Sequence, residues 1–72
     1  MNMTDVLTGR IVQRVISAKT KDCDMVRVVH GVDYTHDIKR LTDNLFEFFP
    51  NSSIEFRKLK YGYSLTIVVY YC

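Results

Sequence analysis

The chain has no tryptophan, a single proline and only three glycines, and its two cysteines stand at positions 23 and 72. Each scarcity excludes something. Two cysteines are too few for the disulfide scaffold that holds small secreted domains together. So few glycines leave no phosphate-cradling loop, and no G-x-S-x-G turn is present. No apolar run approaches the roughly 18 residues that cross a bilayer. The opening Met1-Asn2-Met3-Thr4-Asp5 has neither the basic nor the apolar region of a secretion signal. These features lead us to expect a cytoplasmic protein with reduced Cys23 and Cys72 and no membrane partner.

A one-sided charge is also missing. The formal net charge is only +2. It is unevenly spread: residues 1 to 32 carry five basic and three acidic groups, residues 33 to 49 two and four, and residues 50 to 72 three and one. Nucleic-acid-binding domains generally show a stronger basic cluster on one face, so charge alone does not point to such a partner. What is present is a core. At 47% hydrophobic and 25% charged, the 72 residues have the composition of one folded globular domain, since disordered chains carry fewer apolar groups. A core of this size gives a narrow stability margin, which favours self-association or a partner.

The most informative stretch begins at Ser53. Two strand-like runs flank a turn at Tyr61-Gly62-Tyr63, and the second run, Leu65-Thr66-Ile67-Val68-Val69-Tyr70-Tyr71-Cys72, is rich in β-branched and aromatic residues on both faces, with Val68, Tyr70 and Cys72 sharing the outer one. Such a run belongs in the middle of a sheet. Ile54 and Phe56 share a face of the preceding run, while Leu59 and Tyr61 change parity, which a bulge near Arg57-Lys58 would repair. Met25 to His30 reads as a short strand ended by Gly31. From Thr35 the period becomes helical: Ile38, Leu41, Leu45, Phe48 and Phe49 form an apolar stripe, with Thr35 as N-cap, Asp37 in the first turn and Pro50 as the stop. Lys39 and Asp43 are spaced to pair.

Thr4 as N-cap and Asp5 as first-turn acid precede a first helix, with Leu7, Ile11, Val12, Val15 and Ile16 on one side and Arg10, Gln13, Arg14 and Ser17 on the other. Gly9 and four β-branched residues within six positions also suit a strand, which would give the alternative order ββαββ. The helix is preferred because a strand would place Gln13 and Arg14 on opposite faces. The expected fold is therefore α+β: a two-layer α/β sandwich of order α-β-α-β-β. Its three-stranded antiparallel sheet has order 2-3-1, and the helices pack on one face.

For chemistry, Cys23, His30, His36 and Asp37 include metal-ligating types, but no pair has the close spacing of a pre-shaped zinc site. A metal-binding protein is the third reading, and no metal ligand or cofactor is assigned. Cys23 lies between Asp22 and Asp24, whose charges are expected to raise its pKa and lower its nucleophilicity. Cys72 has a carboxylate beside it. A domain this thin seldom offers a catalytic pocket, so no catalytic residue is assigned and a non-enzyme is expected.

The hairpin is the better candidate for nucleic acid. Arg57, Lys58, Lys60, Tyr61 and Tyr63 combine phosphate-binding charge with stacking groups, as in single-strand binders. Tyr61-Gly62-Tyr63 resembles the aromatic-glycine-aromatic centre of the first ribonucleoprotein motif of RNA-recognition domains. Leu59 and Lys60 depart from it where that motif has a basic residue and glycine. The bland reading, basic residues that blunt a sheet edge, is preferred.

The strand, the helix closed at Phe49-Pro50 and the following hairpin, over residues 25 to 72, resemble the core order of the DNA-damage-inducible DinI family. That likeness implies the same α+β core. The family's acidic C-terminal helix has no counterpart in these residues, and its binding of a recombinase maps onto none of them.

If the helices cover one side of the sheet, Val68, Tyr70 and Val29 face outward, and aromatic groups beside aliphatic ones are what interfaces use as anchors. The alternative is that the first helix crosses over and buries them. The functional expectation is a small non-catalytic binding protein, an inhibitor or adaptor of the kind phages encode. It would act on a protein partner or on its own copy as a homodimer. Val68 and Tyr70 are the expected anchors, with Arg10 and Arg14, or Asp43 and Glu47 on the acidic side of the second helix, at the rim.

Overall fold

Five elements follow one another: α1 (Met3–Ala18), β1 (Met25–Asp33), α2 (Ile38–Phe48), β2 (Ser52–Leu59) and β3 (Gly62–Tyr70). They are those of a computed structural model that describes residues 2–71. The sheet has the order β1-β3-β2, and both pairings are antiparallel. The expected order, with the last strand in the centre, is the observed one, and residues 3–18 are helical, which removes the ββαββ alternative.

Pairing on both sides satisfies every backbone group of β3, so its side chains can be apolar on both faces without leaving a polar edge. Leu65 and Ile67 are fully buried and Val69 nearly so. They form one core with Val26, Val28 and Val32 of β1, Leu7, Ile11, Val12 and Val15 of α1, and Leu41 and Leu45 of α2. All of these strand residues lie on one side of the sheet, so both helices lie on that side. Removing such a side chain from water is worth roughly 1.5 to 3 kcal/mol, which makes this layer the main source of stability.

The helix ends differ from the sequence expectation by a residue or two. Asn2, not Thr4, caps α1, its side chain accepting from the Thr4 N–H at 2.8 Å. Thr4 is instead buried, and its hydroxyl accepts from the Asp37 N–H at 3.1 Å. Asp37, not Thr35, caps α2 through the Arg40 N–H at 3.1 Å, while the Thr35 N–H is held by Asp33 at 3.0 Å. Two apolar residues expected in the core lie outside it: Ile16 and Phe48 are exposed, because each sits one position beyond its helix's buried stripe.

A polar clamp joins the helices where the apolar stripe ends. Arg40 donates through Nε and Nη2 to the two Asp5 carboxylate oxygens, each at 2.9 Å, and Asn44 Nδ2 donates to Asp5 Oδ1 at 2.9 Å and to Thr8 Oγ1 at 3.2 Å. Hydrogen bonds from Arg40 and then Asn44 lower the Asp5 pKa from 3.8 to about 2. Lys39 and Asp43 pair at 3.3 Å as their spacing implies.

Three strand details also differ. Gly31 does not end β1, which continues to Asp33 against Gly62 of β3. No bulge interrupts β2: its register against β3 is continuous from Ser52↔Val69 to Leu59↔Gly62. Leu59 therefore keeps its parity, points to the outer face and is exposed. The reversal itself is Lys60-Tyr61, and Gly62 and Tyr63 already belong to β3. Cys72, expected on the outer face of this strand, lies outside the described residues.

Gly62 is the tightest point of the sheet. Its φ is 155°, and a Cβ there would lie 2.3 Å from the Val32 carbonyl oxygen of β1. Neither strand can yield without losing the pairing that buries the core. Gly62→Ala is expected to lower stability by about 2 kcal/mol or more in urea unfolding; an unchanged midpoint would show that the hairpin end tolerates a side chain.

The Asp5 clamp gives a pH dependence whose sign is fixed. A carboxyl with a folded pKa below its unfolded one stabilises the protein fully above about pH 4 and loses that contribution as pH falls towards 2. Asp5→Asn should flatten this part of the stability-pH profile measured by denaturant unfolding. A slope equal to that of the wild type would contradict the assignment.

Candidate functional site on the open face of the sheet

With both helices on the core side, the other face of the sheet is uncovered. Alternation and register decide what it carries. Rows run across it from β1 through β3 to β2: Arg27, Val68 and Ser53; then Val29, Thr66 and Glu55; then Gly31, Ser64 and Arg57. Above them, Met25 lies opposite Tyr70, whose N–H donates to the Asn51 carbonyl at 2.9 Å.

The shape of this face follows from side-chain size. On β3 the small Thr66 lies between Val29 and Glu55 and the small Ser64 beside Arg57, so the middle of the sheet is a trough. It encloses about 550 Å³ and is lined by Arg27 and Val29 on one wall, Glu55 and Arg57 on the other, and Ser64 and Thr66 on the floor. Beyond Thr66 the floor rises into Val68 and Tyr70. Met25 (48% exposed) and Tyr70 (42%) make an apolar end to the trough, and Val29 (47%) adds an apolar group to its β1 wall. Among the described residues, neither Arg27, Glu55 nor Arg57 takes part in an ion pair. The face therefore presents two guanidinium groups, one carboxylate and two hydroxyls, all available to a ligand.

The expected site residues are divided by this geometry. Val68 and Tyr70 share the open face, as the sequence implies, and Val29 joins them. Arg10, Asp43 and Glu47 are exposed on the helices, which lie across the sheet from that face, so these six positions do not form one surface. Arg14 has a separate task at the sheet margin. Its Nη1 donates to the Val29 carbonyl and to His30 Nδ1, both at 2.8 Å, so α1 caps the free edge of β1 at its midpoint.

The basic and aromatic hairpin is divided too. Arg57 lies on the open face, whereas Tyr63 points inward and packs edge-on against Tyr34, with ring centroids 5.0 Å apart, and against Phe56 at 6.0 Å. Tyr34 also donates its hydroxyl to the Leu59 carbonyl. Tyr61 is fully in solvent at the turn with Lys60 over its ring, and Lys58 has the inward parity of β2. The five residues thus point in three directions.

The possible metal ligands are not gathered. His36 lies beside Thr4, His30 beside Arg14 and Cys23 in the turn after α1, and among the described residues no three His, Cys, Asp or Glu side chains converge. The expected rise in the Cys23 pKa is corrected. Hydrogen bonding from Thr20, whose N–H lies 3.3 Å from Sγ, lowers it, with help from the Lys19 charge, because bonds within the turn outweigh two carboxylates facing water.

Among the described residues no helix is long and apolar enough to cross a membrane. Comparison with models of protein families, with curated proteins and with solved structures gave no match. The likeness to the DinI order rests on element order and the Phe49-Pro50 pair alone, and that to the ribonucleoprotein motif on Tyr61-Gly62-Tyr63.

The trough residues Arg27, Glu55, Ser64 and Thr66 were not legible as a site from sequence. Alternation assigns each to a face of its own strand, but only the register brings them into adjacent rows.

Arg14 has a measurable effect on its neighbour. Burial, then the charges of Arg14 and Arg10, lowers the His30 pKa, and an arginine donor on Nδ1 requires a neutral ring with its proton on Nε2. Arg14→Ala should raise that pKa in an NMR titration of the ring. A titration curve identical to that of the wild type would exclude the contact.

Proposed function

We propose that this protein is a small non-catalytic binding domain that holds a protein partner on the open face of its sheet. The observation that carries this reading is the combination on one uncovered surface of exposed Met25, Val29 and Tyr70 with the unpaired Arg27, Glu55 and Arg57. Large apolar groups at the end of a polar trough resemble the anchor-and-rim pattern of protein interfaces. The matching partner surface has an apolar side chain to cover Val68 and Tyr70 and acidic groups to meet Arg27 and Arg57. An inhibitor or adaptor would act in this way, by occupying a surface.

The same chemistry argues for protein over nucleic acid. A single-strand binder needs stacking platforms beside its cations. Tyr63, the best placed aromatic for that task, is turned into the core, and Glu55 stands between the cations of the open face.

The test is Tyr70→Asp. A tagged wild-type chain recovered from its own cells should retain a protein that Tyr70→Asp and Val29→Asp lose by more than tenfold, while circular dichroism stays native. Equal retention by all three chains would contradict the proposal. So would retained nucleic acid whose binding falls steeply with salt.

A further inference from the structure

The two outer strands are protected differently. Tyr71 donates its N–H to the Asp24 carbonyl at 2.7 Å, so in β1 the even-numbered backbone groups face β3 and the odd-numbered ones face the free edge. That edge is stopped at Val29 by Arg14. On β2 the Asn51 carbonyl accepts from Tyr70, so odd-numbered groups face β3, and the N–H and C=O of Ser52, Ile54, Phe56 and Lys58 face outward. Among the described residues no side chain reaches these groups. The strand is eight residues long, unbulged and without proline, and its inward Ile54 and Phe56 are only half-buried. Such an edge is a template for another strand.

We infer that β2 pairs with β2 of a second copy of this chain, antiparallel about a two-fold axis through Phe56, to give a continuous six-stranded sheet. The charges select both the occupant and the register. Glu55 and Arg57 flank Phe56 on the open face, so an axis through Phe56 sets Glu55 of each copy opposite Arg57 of the other, twice. An axis through Glu55 or through Arg57 would set like charges against each other. An axis through Ile54 would leave both charges opposite neutral residues, with Ser53 facing Glu55 and Asn51 facing Arg57. Of these registers, only the one through Phe56 pairs both open-face charges.

Ladder parity agrees with this choice. Phe56 meets its own copy in a hydrogen-bonded pair, and Ile54 lies opposite the second copy's Lys58, whose carbon stem can cover it. Glu55 and Arg57 then fall in non-hydrogen-bonded pairs, where side chains approach most closely. About six backbone hydrogen bonds replace groups now in water. The two phenylalanine rings meet on the core side, where each is only partly buried in the single chain. A 72-residue domain with one modest core also has reason to gain stability from assembly. This pairing does not rest on the partner-binding reading: it engages Glu55 and Arg57, the β2 wall of the trough, and leaves Arg27, Val29, Val68 and Tyr70 free for a partner.

Sedimentation equilibrium of the full chain, with circular dichroism as a control for folding, tests the inference. The wild type should be a dimer. Glu55→Arg alone, or Arg57→Glu alone, should weaken it by roughly 10- to 100-fold, since each sets two like-charge pairs across the seam. The double variant Glu55→Arg/Arg57→Glu restores both pairs and should dimerise like the wild type. A wild type that is monomeric at every concentration overturns the inference. So does a dimer indifferent to either single reversal, or a double variant as weak as the single ones. Tyr70→Asp lies on β3, four residues beyond Thr66, the partner of Glu55, and leaves this dimer intact, so the two tests fail separately.

Discussion

The structure depends on the need of β3 for a strand on each side and a roof over one face. Its core side holds Leu65, Ile67 and Val69, the most deeply buried residues of the sheet, and no arrangement that leaves one edge unpaired could bury them without stranding their backbone groups. β1 and β2 meet that need from opposite sides, and both helices provide the roof. Their apolar stripes end in the Thr4, Asp5, Arg40 and Asn44 network, which fixes how the two lie against one another. Gly62 marks the limit of this packing, where two strands approach more closely than a side chain allows.

A single helical layer leaves a second face, and that face has the character of a site because of small residues. Ser64 and Thr66 keep the middle of the sheet low, so charges on the outer strands become walls instead of a flat surface. Val68 and Tyr70 supply the apolar end. The edges follow a related logic. One is closed by Arg14 from the roof, and the other carries an alternating Glu55-Phe56-Arg57 that complements itself. The two proposed modes of binding, one for a partner and one for a second copy, thus draw on the same small scaffold and share the Glu55 and Arg57 wall.

Much of the fold was legible because long-period patterns survive in a single sequence. Leu41 and Leu45 between a capping group and Pro50 mark α2, and a strand apolar on both faces marks its own central position. Local details were less legible where two residues of similar chemistry compete. Thr35 and Asp37 both suit a cap, and tertiary contact decides, since the Asp37 N–H is held by Thr4 from the other helix. Ile16 and Phe48 extend apolar runs, but helix rotation carries them past the buried arc. Gly31 looks like a stop, yet it lies on the uncovered face, where a strand can pass through it. The site was least legible. Val68 and Tyr70 could be placed because they lie on the one strand whose location was clear, whereas Arg27 and Glu55 become neighbours of the same trough only through a register that no local pattern encodes.

Residue-resolved amide exchange by NMR, at a concentration below that at which copies pair, tests the central claim most directly. A middle strand paired on both sides predicts that all amides from Ser64 to Val69 exchange only through global unfolding, while Ile54, Phe56 and Lys58 on the free edge exchange fast and Glu55 and Arg57 between them are protected. Rapid exchange at alternate positions of residues 64 to 69 would show that β3 has an open edge. It would contradict the sheet order on which the core, the trough and the seam all rest.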